Sequence, residues 1–166
     1  MEFANYYVVK ADDKENLKQK MTQSKAEGVI FTVDFLGQGD FDTYEKGKRW
    51  IAVSTGHSME KLVDVCFLFS WRLDSYWKMI IYEKGKEIGQ ATFGQDVEHG
   101  ISKKENGFIG NEEKCIQLLG ISSNEFEICL HAEGFDQLHE LLHFPLIELV
   151  NENENPPGLH FAEDLA

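Results

Sequence analysis

The chain is poor in cysteine and has no long hydrophobic run. Its three cysteines, Cys66, Cys115 and Cys129, form no C-x-x-C pair and each has apolar neighbours. This pattern predicts buried thiols and disfavours a disulfide scaffold or a cysteine metal site. No apolar stretch approaches the roughly 18 residues of a membrane helix, and the first residues lack the basic and apolar segments of a signal peptide. We therefore expect a cytoplasmic protein without membrane spans.

The C-terminal half also lacks basic residues. The chain has 16 Lys and Arg against 29 Asp and Glu, a formal net charge of -13, and no Lys or Arg follows Lys114. The ten carboxylates beyond that point belong to Glu125, Glu127, Glu133, Asp136, Glu140, Glu148, Glu152, Glu154, Glu163 and Asp164. Such a surface repels phosphate backbones, which disfavours nucleic-acid binding, and it attracts basic proteins. An acidic face of this kind is also typical of a solvated surface that keeps a protein soluble.

Hydrophobic residues are plentiful enough for one core. They make up 42% of the 166 residues, and 12 of them are phenylalanines, which fits a single domain. Residues 3–10 are aromatic and β-branched and predict a strand. Residues 14–27 predict a polar helix, with Asp12 and Glu15 in capping-box spacing and Gly28 at its end. Further strands are expected over residues 29–35 and 49–54, and a short helix after Ser58.

The most regular pattern lies between residues 66 and 94. Phe67, Phe69, Trp71 and Leu73 alternate on one face of a strand. Two-residue turns at 74–75 and 84–85 join this strand to two more. Turns this short force neighbouring strands to pair antiparallel, which excludes an all-parallel nucleotide-binding sheet. We expect Phe67, Phe69 and Trp71 to be buried.

The hydrophobic period changes to that of helices after residue 110. Asn111 and Ser122 are placed to cap two short helices, and a third is expected from Phe135 to about His143, before Pro145. The prediction is one α+β domain over residues 1–150, sheet-rich over 1–94, with a loop at 95–110 and helices over 111–144. Its fold is an antiparallel five- or six-stranded sheet with one N-terminal helix and a C-terminal set of three short helices. Residues 151–166 are expected to form a polar, mobile tail.

Part of the chain resembles a known pattern. The spacing of Trp77, Tyr82 and Gly85, with Phe93 closing the hairpin, precedes Leu118-Leu119-Gly120-Ile121 and a helix over residues 135–142. This arrangement is similar to that of small uncharacterised acidic bacterial cytosolic α+β proteins, over roughly residues 60–145. The resemblance implies a fold and a bacterial source. It carries over no catalytic residue.

One five-residue motif is typical of zinc enzymes. Residues His139-Glu140-Leu141-Leu142-His143 form H-E-x-x-H, in which two histidines on one helical face bind zinc and the glutamate acts as general base. Glu163 or His160 would supply the third ligand. Pro145 and the short chain beyond it disfavour this arrangement, so we expect no bound metal. A thiol site from His57, Asp64 and Cys66 is disfavoured because Cys66 opens an apolar run, where burial raises a thiol's pKa.

These patterns predict a non-catalytic protein-binding domain without a cofactor. Its acidic C-terminal half would neutralise a basic partner, as immunity proteins neutralise toxins, and the likeness to them is one of size, acidity and compartment. The expected partner-binding residues are Glu125, Glu127, Glu133 and Asp136. Two alternatives are a zinc metallopeptidase that uses His139, His143 and Glu163, and a small-ligand-binding module on the aromatic sheet face.

Overall fold

The computed structural model describes residues 3–11, 13–32, 50–72, 76–94, 106–144 and 157–165. For residues 3–5, 71, 72, 163 and 165 the description covers the backbone alone. The predicted turn at 74–75, the end of the predicted strand at 29–35 and most of the predicted loop and tail lie outside these ranges, as does the side chain of Trp71.

One mixed sheet of eight strands forms the centre of the protein, in the order β7-β6-β5-β4-β1-β3-β2-β8. The strands are β1 (Phe3–Lys10), β2 (Gly28–Phe31), β3 (Trp50–Thr55), β4 (Val65–Arg72), β5 (Tyr76–Glu83), β6 (Lys86–Gly94), β7 (Gly107–Gly110) and β8 (Leu159–Phe161). Strands β4, β5 and β6 form the predicted antiparallel meander. The α+β class is confirmed. The prediction of five or six purely antiparallel strands is wrong, because β8 pairs parallel with β2.

The two unpredicted strands are short and depend on contacts with distant parts of the chain. Strand β7 lies within the predicted loop, and its Phe108 ring packs edge-to-face on Phe126, with centroids 5.4 Å apart. Strand β8 lies within the predicted mobile tail. Its Phe161 is buried, and the Lys18 ammonium lies 4.8 Å from the centre of that ring. Residues 159–161 are therefore part of the sheet.

Four α-helices of the described residues cover the two faces of the sheet. They are α1 (Lys14–Gln23), α2 (Glu112–Leu119), α3 (Ser123–Cys129) and α4 (Gly134–Leu142). Helix α1 is capped by Asp13 instead of Asp12, and it ends before residue 27 because Lys25 adopts a left-handed φ of 59°. The helix expected after Ser58 is a single 3-10 turn, Met59–Lys61. A second 3-10 turn, Ala162–Leu165, follows β8.

Each face of the sheet carries its own hydrophobic core. Helix α1 and the 3-10 turn at Met59 cover one face, where Met21, Ile51 and Cys66 are buried. Helices α2, α3 and α4 cover the other face, which holds most of the aromatic side chains. Phe67 and Phe69 are fully buried there, as predicted. The acidic C-terminal helices are thus seated on the larger core.

Candidate functional site

The solvent-facing side of α2, α3 and α4, here called the acidic layer, gathers most of the uncompensated charge of the described residues. Its carboxylates belong to Glu112, Glu113, Glu125, Glu127, Glu133, Asp136 and Glu140. Lys114 is the one Lys or Arg between residues 106 and 144, and its ammonium lies 3.4 Å from a carboxylate oxygen of Glu83 on β5. The cation therefore pairs with the sheet.

The two acidic residues of helix α3 have different roles. The hydroxyl of Ser122 accepts from the Glu125 backbone N–H at 3.1 Å, and the Glu125 carboxylate accepts from the Ser122 N–H at 2.9 Å. This reciprocal pair is a capping box that stabilises the start of α3. The Glu125 carboxylate, expected to bind a partner, is therefore engaged within the helix. Glu127 is exposed on the outer face.

Ile128 lies next to Glu127 and is 55% exposed. Its helix turns Phe126 and Cys129 into the core, so a side chain at position 128 must face outward. A large aliphatic side chain in the middle of an acidic surface is the kind of feature that a protein interface uses as an anchor. Sequence reasoning missed it, although the helical spacing of Phe126 and Cys129 indicates it.

Helix α4 carries a stripe of three exposed acidic residues. Glu133, Asp136 and Glu140 are spaced three and four positions apart, which places them along one face of the helix. Glu133 and Asp136 lie at the N-terminal end, where the helix dipole favours negative charge. Glu140 lies in the last turn, where the dipole disfavours it, and one turn after the like charge of Asp136. The stability of α4 alone therefore does not favour a carboxylate at position 140.

The corner between α3 and α4 is tied to the middle of the sheet. The indole Nε1 of Trp77 on β5 donates to the carbonyl oxygen of His131 at 2.8 Å, and the Gly134 N–H donates to the same oxygen at 2.9 Å. A Cβ at Gly134 would overlap the carbonyl oxygen of Cys129, so the close approach requires glycine. Phe135 packs edge-to-face on Phe69, with ring centroids 4.7 Å apart. These contacts fix the position of the acidic stripe.

The H-E-x-x-H string does not lie on one helix. Helix α4 ends at Leu142, and His143 is its C-cap residue, with a left-handed φ of 56°. His139 remains on the helix and its ring packs edge-to-face on Phe144, with centroids 5.1 Å apart. The expectation that both histidines share a helical face is therefore wrong. The Glu163 side chain lies outside the described residues, among which no three His, Cys, Asp or Glu side chains form a metal-binding group.

The described thiols lie in the core. Burial raises the pKa of Cys66 to about 12, with a further contribution from the Glu60 carboxylate. Burial also raises the pKa values of Cys115 and Cys129 to about 11. A nucleophilic cysteine needs a lowered pKa and access to solvent. The sequence disfavours a thiol site from His57, Asp64 and Cys66 for this reason, and the structure confirms that Cys66 is buried.

The aromatic face of the sheet is occupied by the protein's own helices. Phe69 lies between the rings of Tyr6 and Trp77 and contacts Phe135 and Phe144. Phe69 and Phe144 are both at most 1% exposed. The face that the sequence offered as a ligand surface is therefore part of the core beneath the acidic layer.

Comparisons of the chain with protein-family models, with curated proteins and with solved structures found no match. Within the residues that the structure describes, no helix is both long enough and apolar enough to cross a membrane.

Proposed function

We propose that the protein is a non-catalytic binding protein whose acidic layer holds a basic partner protein, in the manner of an immunity protein that neutralises a toxin. The observation that carries the proposal is the exposed Ile128 among carboxylates that no Lys or Arg of the same layer offsets. Glu127, Glu133 and Asp136 are the proposed contact residues.

Electrostatics selects the class of partner. The carboxylates of α3 and α4 have the same sign and no Lys or Arg lies within those two helices, so their fields add over the surface. A basic partner is attracted over about 8 Å at physiological ionic strength, and an acidic one is repelled over the same distance. The layer therefore speeds encounter with basic proteins and slows encounter with nucleic acid.

Ile128 would contribute apolar burial to binding, which the charged residues do not. Exposed ion pairs contribute about 0–1 kcal/mol each, whereas burial of an aliphatic side chain contributes roughly 1.5–3 kcal/mol. Within the proposed interface, Ile128 would be the apolar centre and the carboxylates the polar rim, which is the usual arrangement of a protein interface. The seating of the layer on Trp77 and Phe69 lowers the ordering cost of binding.

Site-specific photo-crosslinking tests the proposal. A photoreactive amino acid is placed at position 128 and, as a matched control, at the exposed Gln19 of α1 on the opposite face of the sheet. We expect a basic protein to be cross-linked from position 128 and not from position 19. The same product from both positions, or an acidic protein from position 128, would contradict the proposal.

A triple variant and a single variant then test which residues of the acidic layer contact the partner. Glu127→Lys, Glu133→Lys and Asp136→Lys together should abolish cross-linking from position 128. Ile128→Ser, made in the chain without the photoreactive residue, should weaken direct binding of the protein that was captured. Glu15→Lys, Glu27→Lys and Glu87→Lys form the control, because these exposed residues lie outside the acidic layer and give the same change in net charge. The control should leave cross-linking intact. Glu125 is left unchanged because its carboxylate caps α3.

A further inference from the structure

His131 forms hydrogen bonds through both ring nitrogens and through its carbonyl oxygen at the corner between α3 and α4. The Glu133 backbone N–H donates to its Nδ1 at 3.1 Å, and its Nε2 lies 2.8 Å from Oε1 of Gln137. Its carbonyl oxygen accepts from Nε1 of Trp77. One residue thus joins the turn, the first part of α4 and the centre of the sheet.

These contacts require the neutral imidazole ring. A backbone N–H can only donate, so Nδ1 must present a lone pair to Glu133. The ring proton then lies on Nε2 and is donated to Oε1 of Gln137. A second proton on Nδ1 would remove the acceptor and place two N–H groups against each other. The imidazolium cannot make the contact with Glu133.

Several titratable residues lie on the elements that meet at this corner. The titratable residues of α3, the corner and α4 are Glu125, Glu127, Cys129, Glu133, Asp136, His139 and Glu140. Five of them are carboxylates, which attract a cation. Burial raises the pKa of Cys129 to about 11, so its thiol stays neutral. The third element, β5, contributes the indole of Trp77, which does not titrate.

We infer that His131 is a proton-operated latch of the α3–α4 corner. The neutral ring holds the residues before α4, and protonation removes the acceptor of the Glu133 N–H. Acidification therefore loosens the part of the acidic layer that carries Glu133 and Asp136. The inference goes beyond the proposed binding function and does not depend on it, because the latch belongs to the isolated protein.

The first test uses the unaltered protein. Nitrogen chemical shifts of the His131 ring at about pH 8 should show the proton on Nε2. As the pH falls to about 5, within the range where histidine switches charge, protonation should lower the protection factor of the Glu133 amide. The expected decrease is roughly fivefold, the order for one exposed hydrogen bond. The Trp77 indole resonance should shift over the same pH range.

Two variants separate the latch from general effects of acid. In His131→Asn the side-chain oxygen can accept from the N–H two residues on without titrating, so the pH dependence of Glu133 protection should disappear. His160→Asn on β8 is the control and should retain that dependence.

Three results would overturn the inference. They are a proton on Nδ1 at pH 8, a Glu133 amide that is unchanged while the ring titrates, and a pH dependence that survives in His131→Asn. The first two need no substitution, so they decide the question even if His131→Asn does not fold.

Discussion

The indole of Trp77 donates to the carbonyl oxygen of His131 across 54 positions of sequence, at 2.8 Å. Trp77 is 1% exposed, and this partly buried hydrogen bond links the central strand β5 to the corner that carries the acidic stripe. The position of the acidic layer relative to the sheet depends on this pair.

Replacement of Trp77 by Phe should loosen that corner. The variant loses the indole donor and leaves a small cavity, and we expect a decrease of about 1–3 kcal/mol in the free energy of unfolding, measured in urea. Amide protection over residues 131–135 should fall in parallel. Trp50→Phe is the control, since Trp50 lies on β3 and packs on Phe67. Equal loss of protection at the corner in both variants would show that the Trp77 bond has no local role.

Two substitutions in the acidic layer should change the free energy of unfolding in opposite directions. Glu140→Gln removes a negative charge from the last turn of α4 and from the neighbourhood of Asp136, and we expect it to raise the free energy of unfolding by about 0.5 kcal/mol. Ser122→Ala removes half of the capping box and should lower it by about 1 kcal/mol. A destabilising Glu140→Gln would mean that this carboxylate has a structural partner.

Alkaline pH should destabilise the protein partly through Cys66. Burial raises its pKa from 9.0 to about 12, so the unfolded chain loses the thiol proton at a lower pH than the folded one. The resulting stability is complete below pH 9 and is lost as pH rises toward 12. Between about pH 8 and pH 10, Cys66 should account for about 1 kcal/mol of the decrease. Cys66→Ala should show a shallower decrease in urea unfolding, whereas Met59→Ala, another buried change nearby, should keep the original slope.

We expect no stoichiometric zinc at His139 and His143, because His143 lies beyond the end of α4 in a left-handed conformation. The measurement is the zinc content of protein purified without chelator, for the original chain and for His143→Ala. Both should contain well below one equivalent. One equivalent that is lost in His143→Ala would revive the metallopeptidase alternative.

Local sequence signals predicted much of the fold. The aromatic and β-branched run gave β1 its correct bounds, and the short turn at Lys84-Gly85 fixed the antiparallel pairing of β5 with β6. Asn111 and Ser122 cap α2 and α3 as expected. Strands β7 and β8 were missed because a few residues carry no period, and their pairing depends on distant partners.

The sequence predicted the charge of the candidate site, but not how its side chains are arranged. The absence of Lys and Arg after Lys114 indicated the acidic layer directly. The roles of Glu125 in a cap and of His131 in the corner depend on hydrogen bonds that residue types alone do not specify. The five residues of the H-E-x-x-H motif likewise do not determine that the helix ends at Leu142.

The salt dependence of association decides whether the acidic layer attracts a basic partner through its charge. Cross-linking from position 128 identifies the partner. The association and dissociation rates of that partner with the unmodified protein are then measured from about 0.05 M to 1 M salt. At 1 M salt the screening length is about 3 Å. The account predicts that the association rate falls steeply while the dissociation rate changes less. It also predicts that the triple substitution at Glu127, Glu133 and Asp136 removes most of this dependence and that the matched triple at Glu15, Glu27 and Glu87 does not. An association rate that ignores both the salt and the acidic-layer substitutions would contradict the account.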